Sequence, residues 1–280
     1  MVDVVRDCQI NVYNFRRLLT EEPAAQYGVL RFDPNNTCNL HCVYCHNHRS
    51  DQVIDTDEFS TFLQTKILGT SGFQVGCIME PTLDKRMADF MLLVANSPAK
   101  PTNEFILQTN GILLHRHDPK KMNDAGLTRL SVSMDAADPE IQKSLRGGMS
   151  LEKVLRNVEG FIKNCPEVAI DFITTVTSAN IDKLDTLVTL GCGLGIRRFI
   201  FRELFYYPDN NVVDHSRMPG LMLKRGQFMQ MAELMKVRFG DKAQLIFAAN
   251  EELDASAKTM SENSKFTGRQ ALAAQSHQAD

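Results

Sequence analysis

Three cysteines, Cys38, Cys42 and Cys45, fall within eight residues of Asn36-Thr37-Cys38-Asn39-Leu40-His41-Cys42-Val43-Tyr44-Cys45-His46-Asn47-His48, a C-x3-C-x2-C spacing. The other four, Cys8, Cys77, Cys165 and Cys192, are scattered. Three thiolates on one short loop can each hold one iron of a cubane [4Fe–4S] cluster and leave the fourth iron open to chemistry. The same residues admit a zinc site in which His46 or His48 completes a tetrahedral set. Against zinc stand the C-x3-C spacing, looser than in zinc ribbons, and the absence of a second ligand pair downstream.

Other groups able to do chemistry recur at intervals. Glu80 precedes Pro81 after a nearly all-apolar run, where a carboxylate suits a cationic amino group. Thr109-Asn110-Gly111, Ser133-Met134-Asp135, the stretch from Thr177 to Asn180, and Arg202-Glu203 each close an apolar run in the same way. His41, His46 and His48 read as polar loop residues, with Tyr44 packed among them. Cys77, near a strand end, reads as a buried apolar thiol, whereas Cys192 precedes a strand and reads as structural. The run from Arg202 to Tyr207, with His215 and Arg217, suits a cavity wall or a cap equally.

These groups need a frame. Apolar β-prone runs alternate with helix-period runs about six times, the pattern of a parallel sheet with crossover helices. Strands are expected near residues 29–32, 73–79, 104–108, 129–133, 169–176 and 198–204. The clearest helix is 151–164, where Leu151, Val154, Leu155, Val158, Phe161 and Ile162 share a face behind a Ser150 cap. In such folds ligands gather at the carboxyl ends of the strands, and that is where the groups above fall. Asn180 alone could be a helix cap, but helix capping does not account for five such sites together with a cysteine loop.

The 280 residues carry 31 Lys+Arg against 34 Asp+Glu, a net charge of −3, so nothing pulls the whole molecule toward nucleic acid. No apolar run reaches the ~18 to 20 residues of a membrane span, and the first residues lack the basic-then-apolar order of a secretion signal. A cytoplasmic protein is expected, in a compartment where clustered cysteines bind metal rather than pair. The expected division is an N-terminal extension at 1–24, a core at 25–205 and a cap at 206–255. A polar, Ala-rich tail at 256–280 is expected to be disordered.

The cysteine loop resembles the motif of the radical S-adenosylmethionine (SAM) superfamily, C-x3-C-x-aromatic-C, with Tyr44 as the aromatic. The resemblance continues in Glu80-Pro81, matching the end of a Gly-Gly-Glu-Pro-type segment whose two glycines are here Ile78 and Met79. Thr109-Asn110-Gly111 and Ser133-Met134-Asp135 resemble the T-N-G and S-x-D segments of one branch. That branch contains the GTP-cyclising enzyme of molybdenum cofactor synthesis and SPASM-type peptide-modifying enzymes. The resemblance implies that Cys38, Cys42 and Cys45 bind a [4Fe–4S] cluster and that Tyr44, Glu80, Ser133 and Arg146 contact SAM. Tyr44 would pack on adenine or the loop, and Arg146 would approach the SAM carboxylate.

The fold so implied is α/β, an incomplete (β/α)6 TIM-like barrel with a short C-terminal cap. The implied chemistry is one-electron cleavage of SAM, fed by a flavodoxin- or ferredoxin-like donor, giving a 5′-deoxyadenosyl radical that removes a substrate hydrogen. With no cysteine after Cys192, the auxiliary-cluster domain of that branch is not expected. A redox-neutral rearrangement, epimerisation or cyclisation of a peptide or small metabolite is the expected outcome. The rival reading is a non-enzymatic metal-binding or redox-sensing module using the cysteine loop alone, which leaves Glu80, Thr109 and Ser133 without a role.

Overall fold

The structure, a computed structural model, describes residues 6–250. Eight parallel strands lie side by side in chain order: β1 (Arg6–Ile10), β2 (Ala25–Phe32), β3 (Ile67–Val75), β4 (Glu104–Thr109), β5 (Arg129–Ser133), β6 (Ala169–Val176), β7 (Arg198–Glu203) and β8 (Gln244–Ala248). The helices that matter below are α1 (Thr56–Lys66), α2 (Met87–Ala95), α3 (Pro139–Leu145), α4 (Leu151–Asn164) and α5 (Gln227–Phe239). Among the described residues no ladder joins β8 to β1, so the barrel is incomplete.

Alternation along each strand sorts the side chains onto two faces. One face carries Phe32, Phe73, Phe105, Phe172 and Phe199, all at most 2% exposed, against the helices. Phe32 stacks on Phe59 of α1 with ring centroids 4.1 Å apart and meets Phe90 of α2 edge-on. Each such ring stabilises the fold by about 2 to 3 kcal/mol. The inner face is polar at the amino ends of the strands. There Arg129 donates to Glu104 (2.9 Å) and Asp171 (2.8 Å), and Arg198 donates to the other oxygen of Asp171 (2.8 Å). Four neighbouring strands are thereby tied across their inner side.

Helix α4 has the bounds its periodicity predicts, with Leu151, Val154, Val158 and Phe161 buried and the Ser150 side chain capping Lys153 N. The strand count differs from expectation. β1 pairs with β2 from Arg6↔Tyr27 to Ile10↔Phe32, so residues 6–10 belong to the sheet and not to an extension outside the repeat. β8 likewise pairs with β7 and extends the sheet beyond the six expected strands. Both outer strands have five residues: β1 has no apolar run, and that of β8, Leu245 to Ala248, is short.

β3 also ends earlier than expected, at Val75. Gly76 turns the chain there with φ +80°, and a Cβ would lie 2.2 Å from the Gln108 carbonyl oxygen, so only glycine fits. Cys77, Ile78 and Met79 therefore belong to the loop after the strand. No helix among the described residues is long and apolar enough to cross a membrane. The expected tail, 256–280, lies outside the described residues.

Candidate active site

The cysteine loop leaves β2 and is stitched to the neighbouring strand ends. Asn35 Nδ2 donates to the Glu80 carbonyl (3.1 Å), and Glu80 N donates to the Thr37 carbonyl (3.0 Å). Asn110 Nδ2 donates to Asn39 Oδ1 (2.8 Å), reaching the loop from the end of β4. Arg49 binds the carbonyls of Cys38 and Leu40. On the far side Val43 N donates to the Leu145 carbonyl at the end of α3 (2.9 Å). Two residues on, Gly147 (φ +58°) lies so close to His41 that a Cβ would come within 2.3 Å of its carbonyl oxygen.

Glu80 is 2% exposed and does more than close a strand. Its Oε1 accepts from Thr82 N (3.1 Å), from the Thr82 hydroxyl and from the Thr109 hydroxyl (2.6 Å), while Oε2 accepts from Asn110 N (2.7 Å). Burial raises its pKa, against the pull of these donors. The carboxylate thus braces the loops after β3 and β4 and keeps one lone pair of Oε2 open. The Ile78 and Met79 positions have a brace of their own: the buried carboxylate of Asp33 accepts from the backbone N–H groups of Cys77 (2.9 Å), Ile78 and Met79 (3.2 Å). Sequence reasoning missed Asp33, whose only signal is an acid directly after an apolar strand end.

At the ends of β5 and β6 the residues meet differently. Asp135, fully buried, accepts from Arg146 Nε (2.9 Å) and Nη2 (2.8 Å), from Thr175 N (2.9 Å) and from the Tyr44 hydroxyl. Burial works against the Arg146 charge, yet Asp135, with Tyr44 and Cys42 nearby, holds its pKa above the ordinary value. Two donors of Arg146 are thus committed to Asp135, which leaves Nη1. Tyr44, pushed up in pKa by burial, is anchored through its hydroxyl and also packs against Leu204, Val213 and Met218. Asn180 gives its helix no side-chain cap. It ties β5 to β6 instead, donating to the Asp135 and Thr175 carbonyls (2.9 Å each). The Ser133 hydroxyl makes no hydrogen bond among the described residues.

One cavity of about 440 Å³ is lined by the three loop cysteines together with Tyr44, Glu80, Ser133 and Arg146. Cys77 and Arg202 line it too, so Cys77 is not simply a core thiol. His46 stacks on Tyr207 (4.2 Å) and its backbone carbonyl accepts from Asn210, so the segment after β7 covers the loop. Burial pushes the Cys42 thiol up to about 11. Among the described residues no three His, Cys, Asp or Glu side chains converge as a single metal ion requires. Three unpaired thiols that open on one cavity without converging suit a multi-atom cubane, each thiol meeting its own iron.

Residues 33–190 match the Radical SAM superfamily. The chain is 27% identical over 214 residues to a protein named probable GTP 3′,8-cyclase from Methanococcus aeolicus, covering 74% of this chain and 61% of that one. A second protein of that name, from Methanosarcina mazei, is 31% identical over 160 residues, 54% of this chain and 46% of its own. In fold the chain is similar to SuiB of Streptococcus suis, solved with the precursor peptide SuiA (TM-score 0.62, 14% identity, 85% of this chain and 51% of that). It is also similar to anSMEcpe with bound AdoMet and a peptide (TM-score 0.59, 19% identity, 80% and 63%). The chain spans less than two thirds of each of these proteins. The superfamily uses a [4Fe–4S] cluster and SAM, and the incomplete parallel barrel fits it. The chain belongs to the radical SAM superfamily.

Proposed function

We propose that Cys38, Cys42 and Cys45 bind the cluster and that SAM lies across the ends of β3 to β5 in the same cavity. When bound, the cluster and SAM together supply a 5′-deoxyadenosyl radical that removes a hydrogen atom from the substrate. The open lone pair of Glu80 Oε2 receives the SAM amino group, and the Ser133 hydroxyl donates to SAM. Arg146 offers Nη1 to the SAM carboxylate while Asp135 fixes its orientation, and Tyr44 closes the adenine side of the loop. The segment carrying Tyr207 and Asn210 keeps water and stray hydrogen donors from the loop.

A flavodoxin- or ferredoxin-like protein supplies the electron. The reaction is a redox-neutral rearrangement, epimerisation or cyclisation of a peptide or small metabolite. The relatives' name favours a nucleotide and the structural neighbours a peptide. A cytoplasmic setting suits an oxygen-sensitive cluster and a soluble donor. The observation that carries the reading is that three thiols, a braced carboxylate and an unbonded serine hydroxyl line one cavity. Anaerobic reconstitution followed by dithionite and SAM tests it: about four irons per chain and release of 5′-deoxyadenosine are expected. Retention of that iron after replacement of all three loop cysteines by Ala would reject the assignment.

A further inference from the structure

We propose that Arg202 binds an anionic group of the substrate, a carboxylate or a phosphate, a reading that rests on the function proposed above and narrows its substrate class. Arg202 lies on the inner face of β7, in register with Thr175 on β6 and Ala248 on β8, and lines the cavity beside Cys77, Gln108, Ser133 and Thr175.

Every other arginine in this interior is already matched. Arg129 and Arg198 share Asp171, Arg31 pairs with Asp7 (3.1 Å), Arg146 is held by Asp135, and Arg49 is held by two loop carbonyls. Arg202 has no ion pair and no hydrogen bond among the described residues. Glu203, next in sequence, forms no ion pair with it and accepts from Asn250 N instead (3.0 Å). Arg202 is solvent-exposed and lines the cavity. Burial lowers its pKa, the nearby Cys77 works against that, and the Arg31 charge adds to the lowering.

A guanidinium that opens on a cavity with no protein partner is free to meet an anion entering it. Its planar fork matches two oxygens of a carboxylate or phosphate and offers nothing comparable to a neutral sugar hydroxyl. Glu80 and Ser133 follow β3 and β5, whereas Arg202 stands two strands further round. Cofactor and anion sites are therefore separate stations on one rim, and a substrate anchored at Arg202 has its body turned toward the place where hydrogen is removed.

Arginine labelling of the reconstituted, SAM-loaded enzyme with phenylglyoxal, mapped by mass spectrometry, tests this. Arg202 should react faster than the paired Arg146, and inorganic phosphate or succinate at about ten times its Kd should slow that reaction about tenfold. The exposed Arg225 serves as the internal control and should be unaffected by either anion. Protection by phosphate alone supports a phosphorylated substrate, and protection by succinate alone a carboxylate. If neither anion protects Arg202, or if Arg202 does not react at all, the proposal is overturned. Iron content and SAM binding measured on the same sample separate the two readings: their loss removes the proposed function, while their retention without protection removes only the anion site.

Discussion

Glu80 and Ser133 flank the same cavity but are built in opposite ways. The Glu80 carboxylate carries four hydrogen bonds from its own fold, whereas the Ser133 hydroxyl carries none. Ser133→Ala should therefore weaken SAM binding by about 2- to 10-fold and leave the thermal midpoint unchanged, the loss of one ligand hydrogen bond. Glu80→Gln should weaken SAM binding and also cost about 1 to 3 kcal/mol, because Asn110 N then faces an amide. Calorimetric binding and thermal melts on both variants check this, with iron content expected to stay at the wild-type level. A stability loss in the serine variant would show that its hydroxyl serves the fold. Cys77 gives a pH test. Burial first, and then the Asp33 charge, pushes its thiol up to about 11 from an ordinary 9.0. The thiolate fraction near pH 8 should be about 100-fold below that of a free thiol, and iodoacetamide labelling should climb until about pH 11. Fast labelling at neutral pH would contradict it.

Elements were legible in the sequence where a single period ran long enough. Helix α4 and strands β5 and β6 have their expected bounds because Val154, Val158 and Phe161 repeat at helical spacing and the strands carry β-prone residues, Leu130 and Val132 in one and Ile170, Phe172, Ile173 and Val176 in the other. β1 and β8 were not legible as strands of the barrel: β1 has only Cys8 and Ile10 as apolar residues, and the short apolar run of β8, Leu245 to Ala248, follows a polar, irregular stretch that breaks the strand–helix repeat. Within the site, the cysteines and Glu80 were readable from local spacing. The bonds from Asp33 to the Cys77–Met79 loop and from Arg146 to Asp135 were not, because those pairings are made by the fold and not by neighbours in the chain. The element-scale prediction concerns the junction of the cysteine loop with the turn after α3. Gly147→Ala would drive a Cβ into the His41 backbone, so a loss of about 1 to 3 kcal/mol is expected, with iron retention below wild type. Gly148→Ala is the control: its φ of +93° strains an alanine, but nothing lies within 4 Å, so iron should be kept. Equal iron in both variants would show that the contact with His41 does not hold the loop.

At the scale of the whole molecule, aromatic packing seals the outside of the sheet and ion pairs tie its inside. Asp171 is fully buried between Arg129 and Arg198, whose side chains are 19% and 26% exposed. Asp171→Ala strands both cations at once, and that partial exposure sets the expected loss near the low end for a broken buried pair, about 3 kcal/mol by urea unfolding. A loss below about 1 kcal/mol would mean that solvent already screens the layer. The cavity at the other end of the strands has no such tie between its outer margins. In a closed barrel the number and tilt of the strands set the diameter. Here β1 and β8 do not pair, so strand count leaves the girth of the mouth undetermined. Widening it bends a sheet and breaks no ladder, which allows guests of different bulk to be admitted over the same fixed cofactor station.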